Sequence, residues 1–276
     1  MKFILSIFVT LFFSTAALAL PQVEVSEADL ITKMKLLTTM EQAQRQQYYI
    51  EALKALGYSY TPHAFKLGYA SGLNLVFEKK GSSPTPKTVL IGAHYDRYYS
   101  GADDNTSGSI GALIIATSLA KTNFKNTIQV VFFDHEESGL VGSSIFVREV
   151  LKPPFAGAFT MDMIGYDSND DGGMEVQVCA ESGEASHALA KLMINTIQTQ
   201  NLFLKPVIQC NRRSDQGSFW RAGLPAVNAQ EKFFTGDSTP CYHQACDTWD
   251  TINYKYLANM IRLVGYSAMQ ILEPVP

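Results

Sequence analysis

The chain has 276 residues, of which 46% are hydrophobic, and its formal net charge is −4. A chain of this length can bury one large core. The slightly acidic balance and the lack of a Lys/Arg cluster argue against nucleic acid or an anionic membrane surface as a partner.

The first twenty residues differ from the rest. Lys2 is followed by an apolar run that ends in the small-x-small pattern Ala17-Leu18-Ala19. This pattern is typical of a secretory signal peptide, so we expect residues 1–19 to be removed after Ala19. The alternative is an uncleaved membrane anchor, for which the run is somewhat short. We therefore expect export to the periplasm or the exterior, with no stable membrane association after cleavage, and one mature domain over residues 20–276.

Apolar periodicity then predicts an alternation of helices and strands. In chain order these are one or two helices over 26–56, strands over 73–78 and 88–93, a helix over 107–121, a strand over 127–133, a helix over 140–151, strands over 158–163 and 174–178, a helix over 186–199, a strand over 225–228 and a closing helix over 254–272. Such an alternation predicts an α/β fold: a three-layer sandwich with a mostly parallel central sheet flanked by helices.

The four cysteines lie in the last hundred residues, at positions 179, 210, 241 and 246. An even number in an exported chain favours disulfides, and four cysteines allow three pairings. Cys241 and Cys246 are close in sequence and make the easiest pair to close, which would leave Cys179 for Cys210. Metal binding by these thiols is the weaker interpretation, because no Cys-x-x-Cys motif occurs.

Polar clusters follow three predicted strands, at the sheet edge where α/β proteins bind ligands. They are residues 94–96, residues 134–137 and Asp162; a further acidic loop spans 101–108, and His243 precedes the last helix. Each cluster alone is more often an ordinary turn, a solvated face or a helix cap. Five together would bury several carboxylates at one edge, which is costly unless cations neutralise them. Imidazole and carboxylate are ligands that suit zinc.

The residues of these segments and their order along the chain resemble the zinc exopeptidases that include bacterial leucyl aminopeptidases, aminopeptidases S and Y and, more distantly, glutaminyl cyclases. The matching segments are AHYD at 93–96, GADDNTSG at 101–108, FFDHEESGLVGS at 132–143, MDMIG at 161–165, SD at 214–215, AGLPA at 222–226 and YHQACDT at 242–248. The resemblance runs from about residue 74 to the end of the chain.

The resemblance implies two zinc ions per chain, held by five ligands. His94 and Asp162 would hold one ion, and Glu137 and His243 the other, with Asp104 bridging the two. Asp103 is the rival for the bridging position. Two metals roughly 3.5–4 Å apart share a water and lower its pKa, which suits hydrolysis of a peptide bond.

Two more carboxylates receive roles from the same resemblance. Glu136 would be the general base, and Asp96 the carboxylate that orients the ligating His94. The implied activity is that of an aminopeptidase, which removes residues from peptide substrates with a free N-terminus.

The substrate cleft departs from the family pattern where many relatives have His after Ser-Asp and this chain has Gln216. Aromatic residues form candidates for a side-chain pocket or for ordinary packing: Tyr95, Tyr98, Tyr99, Phe219, Trp220, Phe233 and Phe234. Two alternative functions stay open. One is a glutaminyl cyclase, which typically works with a single zinc, and the other is a non-catalytic binding module of the same fold.

Overall fold

The computed structural model describes residues 20–68 and 70–275 of the chain. The predicted signal peptide, residues 1–19, lies outside the described residues. None of the helices in the described part combines the length and the apolar character needed to cross a bilayer.

The described chain begins with two helices and three strands, after which strands and helices largely alternate. The strands are β1 (Ser59–Leu67), β2 (Ala70–Lys79), β3 (Thr88–His94), β4 (Thr127–Phe133), β5 (Phe155–Met161), β6 (Gly173–Gln177), β7 (Lys205–Gln209) and β8 (Ala226–Glu231). The helices are α1 (Glu27–Thr39), α2 (Gln42–Ala55), α3 (Gly108–Leu119), α4 (Val141–Glu149), α5 (Glu184–Thr199), α6 (Gln216–Arg221) and α7 (Tyr254–Leu272). Of the one or two helices predicted over 26–56, the structure has two.

The eight strands form one sheet in the order β1-β2-β4-β3-β5-β8-β6-β7. The central strands β4, β3, β5 and β8 are parallel to one another, whereas β1–β2, β2–β4 and β6–β8 pair antiparallel. The predicted α/β sandwich is confirmed, with the parallel part of a mixed sheet at its centre.

Alternating side chains of the central strands pack on opposite faces of the sheet. Ile91 of β3 joins the larger core, which also receives helices α1, α2, α3, α5 and α7. Its neighbour Leu90 packs on the other face with Phe146 of α4 and Phe219 of α6. Because β3 is covered on both faces, its sequence is a continuous apolar run up to His94.

Both edge strands were absent from the sequence prediction. β1 and β7 contain Pro62 and Pro206, and most of their side chains are exposed or half-buried. An edge strand tolerates proline because one of its sides needs no hydrogen-bond partner. The same exposure removes the apolar pattern by which a strand is recognised in a sequence.

Candidate metal centre

The central strands deliver three of the predicted polar clusters to one edge of the sheet. β3 ends at His94, which lies opposite Phe133, the last residue of β4. β5 ends at Met161, directly before Asp162. Because β4, β3 and β5 are adjacent and parallel, their carboxyl ends meet, and the segments that follow them face the same cleft.

Asp104 lies between the two predicted histidines. Its Oδ1 is 3.4 Å from Nε2 of His94, and its Oδ2 is 3.1 Å from Nε2 of His243. His94 Nε2 is also 3.5 Å from Oδ1 of Asp162, and His243 Nε2 is 3.0 Å from Oε2 of Glu137. The five predicted ligands therefore come together in the structure, with Asp104 at the centre.

Several buried atoms of this cluster lack a hydrogen-bond partner among the described residues. They are Nε2 of both histidines, Oδ1 of Asp162 and Oε1 of Glu137. Buried polar atoms without partners are costly, and all four are of the kind that binds zinc. Two sets of three side chains bring ligand atoms within 4.8 Å of one another: His94, Asp104 and Glu137, and His94, Glu136 and Asp162. The donor set therefore fits cations that replace the missing hydrogen bonds.

Glu136 lies beside the ligands. Its Oε2 is 4.0 Å from Nε2 of His94, and its side chain is 8% exposed. Distance alone would also allow it as a ligand of the His94 set.

Asp96 holds both neighbouring glutamates by their backbone. Its Oδ1 accepts a hydrogen bond from the N–H of Glu136 at 3.0 Å, and its Oδ2 accepts one from the N–H of Glu137 at 3.1 Å. Oδ1 also lies 3.5 Å from Nδ1 of His94. The carboxylate predicted to orient His94 thus also positions the loop after β4, a role that its spacing from His94 did not indicate.

A second buried carboxylate, Asp247, positions the acidic loop. Its two oxygens accept hydrogen bonds from the N–H groups of Asp103 and Asp104 at 2.8 and 3.1 Å. Asp103 points away from the histidines, since its Oδ1 accepts a hydrogen bond from the N–H of Gly165 at 2.8 Å. The sequence resemblance includes Asp247 without a role, because its partners lie more than 140 positions away.

Negative charge dominates the electrostatics of the cluster. Burial, with the neighbouring Asp104 carboxylate, raises the pKa of Glu137 to about 8. Burial likewise raises the pKa of Glu136 well above its ordinary value, and the charge of Asp162 acts in the same direction. Burial opposes protonation of His94, but the carboxylates around it, Glu136 first, raise its pKa well above the usual range. Burial is thus the largest cause of the shift at both glutamates, whereas neighbouring carboxylates raise the pKa of the imidazole.

The predicted aromatic candidates lie in different environments. Tyr95 and Phe219 are buried in the core, whereas Phe233 and Phe234 line the cleft together with Tyr242, which had not been selected. Tyr98 packs against His243, with ring centroids 4.4 Å apart. Tyr99 is 66% exposed, and Trp220 packs against the smaller core.

Comparison with known proteins agrees with this geometry. A family model described as Peptidase family M28 matches residues 74–268. Leupeptin-inactivating enzyme 1 of Streptomyces exfoliatus is 27% identical over 237 residues, covering 78% of this chain and 52% of its own length. Aminopeptidase Y of Saccharomyces cerevisiae is 24% identical, covering 70% and 38% respectively. The chain thus spans about half the length, or less, of these curated relatives.

Solved structures share the fold. The Legionella pneumophila LapA aminopeptidase superposes with a TM-score of 0.78 at 21% identity, covering 91% of this chain and 73% of its own. The Bacteroides thetaiotaomicron glutaminyl cyclase superposes with a TM-score of 0.73 at 17% identity, covering 92% of this chain and 99% of its own. At these identities the likeness concerns the fold alone.

Proposed function

The chain belongs to Peptidase family M28, and on that premise we propose that it is an exported di-zinc aminopeptidase. Its substrates are peptides with a free N-terminus. The convergence of the two histidines on the two oxygens of Asp104 carries the proposal, because a carboxylate so placed can bridge two cations.

In this proposal, His94 and Asp162 hold one zinc ion, Glu137 and His243 hold the other, and Asp104 contacts both. The partnerless buried atoms of four of these residues support the assignment. When bound, two zinc ions lower the pKa of water and polarise the peptide carbonyl.

Glu136 acts as the general base, taking a proton from water and delivering it to the leaving amine. Its place beside His94, and a pKa that burial raises, suit a group that must accept a proton from water. Asp96 fixes the backbone of Glu136 and Glu137, so that Glu136 faces the substrate while Glu137 binds metal.

Export is supported by the apolar N-terminus and by the cysteines. The structure pairs Cys179 with Cys210 and Cys241 with Cys246, the pairing that the sequence favours. No cysteine in the described part of the chain is left free. Disulfides persist in oxidising compartments, which include the periplasm and the exterior.

The test distinguishes Glu136, the proposed base, from Glu137, the proposed metal ligand next to it. Glu136→Gln should lower kcat on a leucyl fluorogenic substrate by about 10²-fold or more, because an amide cannot accept the proton. Its zinc content by elemental analysis should stay at two ions per chain. Glu137→Gln should instead lose zinc. Near-normal turnover of Glu136→Gln would show that the base is another residue.

A glutaminyl cyclase is the second candidate, since one has this fold over nearly its whole length. A peptide with N-terminal glutamine distinguishes the two activities. A peptidase releases free glutamine, whereas a cyclase releases ammonia and leaves a pyroglutamyl peptide. Cyclisation with one zinc ion at full activity would replace the aminopeptidase proposal.

A further inference from the structure

The cleft beside the proposed zinc ligands has a polar part that the metal chemistry does not use. Part of the cleft lining is aromatic, with Phe233 and Tyr242 in edge contact at 5.0 Å. The rest includes Asn211, Arg213 and Gln230, whose amide and guanidinium groups donate hydrogen bonds.

The amide of Gln230 is held in one orientation by buried neighbours. Its Oε1 accepts a hydrogen bond at 3.1 Å from Nε2 of Gln177, which also donates to Oε2 of Glu175 at 2.7 Å. Both hydrogens of the Gln177 amide are thereby committed. Gln230 is 3% exposed, and its bond to Gln177 engages its Oε1 but not its NH₂ group. The network therefore leaves a donor available to the cleft.

Glu175 ties this network to the aromatic part of the lining. It is fully buried, and its Oε1 accepts hydrogen bonds from the N–H of Phe234 at 2.8 Å and from the hydroxyl of Thr235 at 2.9 Å. One carboxylate thus fixes both the donor and the turn that carries the aromatic side chains. A polar network of this kind rigidifies a binding site.

Arg213 stands on an anchored loop. Cys210 closes a disulfide with Cys179, the carbonyl of Asn211 accepts a hydrogen bond from Nε2 of Gln216 at 2.9 Å, and Oδ1 of Asn211 accepts one from the N–H of Arg213 at 2.9 Å. Gln216, which replaces the histidine of many relatives, therefore supports the loop. The guanidinium of Arg213 forms no ion pair with a described residue, whereas adjacent Arg212 pairs with Glu181.

Charge balance in the cleft identifies the group that Arg213 would meet. Four carboxylates line the cleft, those of Asp104, Glu136, Glu137 and Asp162, and Arg213 is the one basic residue among the described lining residues. On the proposed function, two zinc ions carry four positive charges and balance the carboxylates. Arg213 then remains as a cation without a carboxylate partner in a cleft that is also lined by the amide of Gln230, and this combination suits a carboxylate.

We propose that Arg213 and Gln230 form a subsite that binds a carboxylate of the substrate. The expected source is the side chain of an acidic N-terminal residue, which places glutamyl and aspartyl peptides among the preferred substrates. The other source of the same group is the C-terminal carboxylate of a short peptide. This inference rests on the proposed function, from which it takes a peptide as the substrate. The residues that line the cleft indicate that the bound group is a carboxylate.

The test compares Arg213→Gln with Arg212→Gln, a matched change at an arginine outside the cleft lining. Glutamyl and leucyl 7-amido-4-methylcoumarin lack a C-terminal carboxylate, so they isolate the side-chain source. Arg213→Gln should lower kcat/KM for the glutamyl substrate about 10-fold or more, the effect of losing a hydrogen bond to a charged group. The leucyl substrate and the Arg212→Gln variant should change less than about threefold, as for contacts outside the subsite.

A comparison of Leu-Ala with Leu-Ala amide tests the second source, because only the free dipeptide has a C-terminal carboxylate. If Arg213→Gln weakens turnover of the free dipeptide alone, the subsite stands and its ligand is the terminal carboxylate. If Arg213→Gln changes none of the four substrates, the subsite is overturned while the aminopeptidase activity stands. If the wild-type protein cleaves no substrate, the proposed function fails. Calorimetry of the zinc-treated wild type and Arg213→Gln with L-glutamate and L-leucine then decides the subsite, which is overturned if the substitution changes the affinity for neither ligand.

Discussion

Asp96 provides the sharpest test of how the fold positions the proposed ligands. Asp96→Ala removes two hydrogen bonds to the backbone of Glu136 and Glu137 and the contact with Nδ1 of His94. Hydrogen bonds to a charged group contribute about 1.5–3 kcal/mol each. The side chain is 13% exposed, so water can replace part of the loss, and we expect a decrease of about 2–4 kcal/mol in the free energy of unfolding.

The same change should act on metal binding. Nδ1 of His94 keeps its 3.2 Å hydrogen bond with the backbone carbonyl of residue 96, so the effect comes mainly from the loop that carries Glu136 and Glu137. Removing a group that positions metal ligands typically lowers metal affinity or activity about 10-fold to 100-fold. Asp96→Asn should fall between the wild type and Asp96→Ala, because the amide keeps one acceptor for the two N–H groups. The measurements are urea unfolding, competitive zinc titration and kcat on a leucyl substrate.

Asp237 offers a matched control. It accepts two hydrogen bonds from Ser168, at 2.8 Å from the N–H and 2.6 Å from the hydroxyl, and does not belong to the metal cluster. Asp237→Ala should therefore leave zinc affinity and kcat unchanged. If Asp96→Ala loses stability but keeps zinc affinity and kcat, Asp96 supports the fold alone and the positioning argument is refuted.

Two further predictions concern the disulfides and pH. The loop-entropy relation assigns about 4 kcal/mol to Cys179–Cys210 and about 2 kcal/mol to Cys241–Cys246, whose sequence separations are 31 and 5. Serine replacement of Cys179 and Cys210 should therefore lower Tm more. Replacement of Cys241 and Cys246 should lower zinc affinity more, because the loop that they close carries His243. Equal effects of the two replacements on zinc affinity would contradict this prediction. Burial raises the pKa of Asp215 to about 7, so its contribution to stability is present below about pH 4 and lost as pH rises through 7. Protein treated with a chelator should accordingly have a lower Tm at pH 8 than at pH 5. A calorimetric Tm that is higher at pH 8 would contradict the raised pKa of Asp215.

The central elements could be predicted from the sequence because their buried positions are occupied by apolar residues in a recognisable pattern. β4 is apolar at all but two of its positions and was predicted to the residue, as was α7. The edge strands β1 and β7 gave no such pattern, since exposure allowed polar residues and proline. The short helix α6 was also missed, because six residues hold less than two turns of periodicity.

The candidate site shows the same division. His94, Glu137 and Asp162 lie at or just after strand ends that a sequence can locate, so their convergence was predictable. The roles of Asp247 and Gln230 depend on partners from distant segments, namely the N–H groups of Asp103 and Asp104 and the amide of Gln177. No local pattern encodes such pairings, and only the folded arrangement reveals them.

The proposed ligands are spread over 150 positions, from His94 at the end of a central strand to His243 on a late loop. No short segment of the chain holds both, so an unfolded chain has no comparable site. Zinc would then bind the native state selectively and stabilise it in proportion to the logarithm of its free concentration. Metal binding would therefore have to wait until the segment that carries His243 has docked against the ends of the central strands.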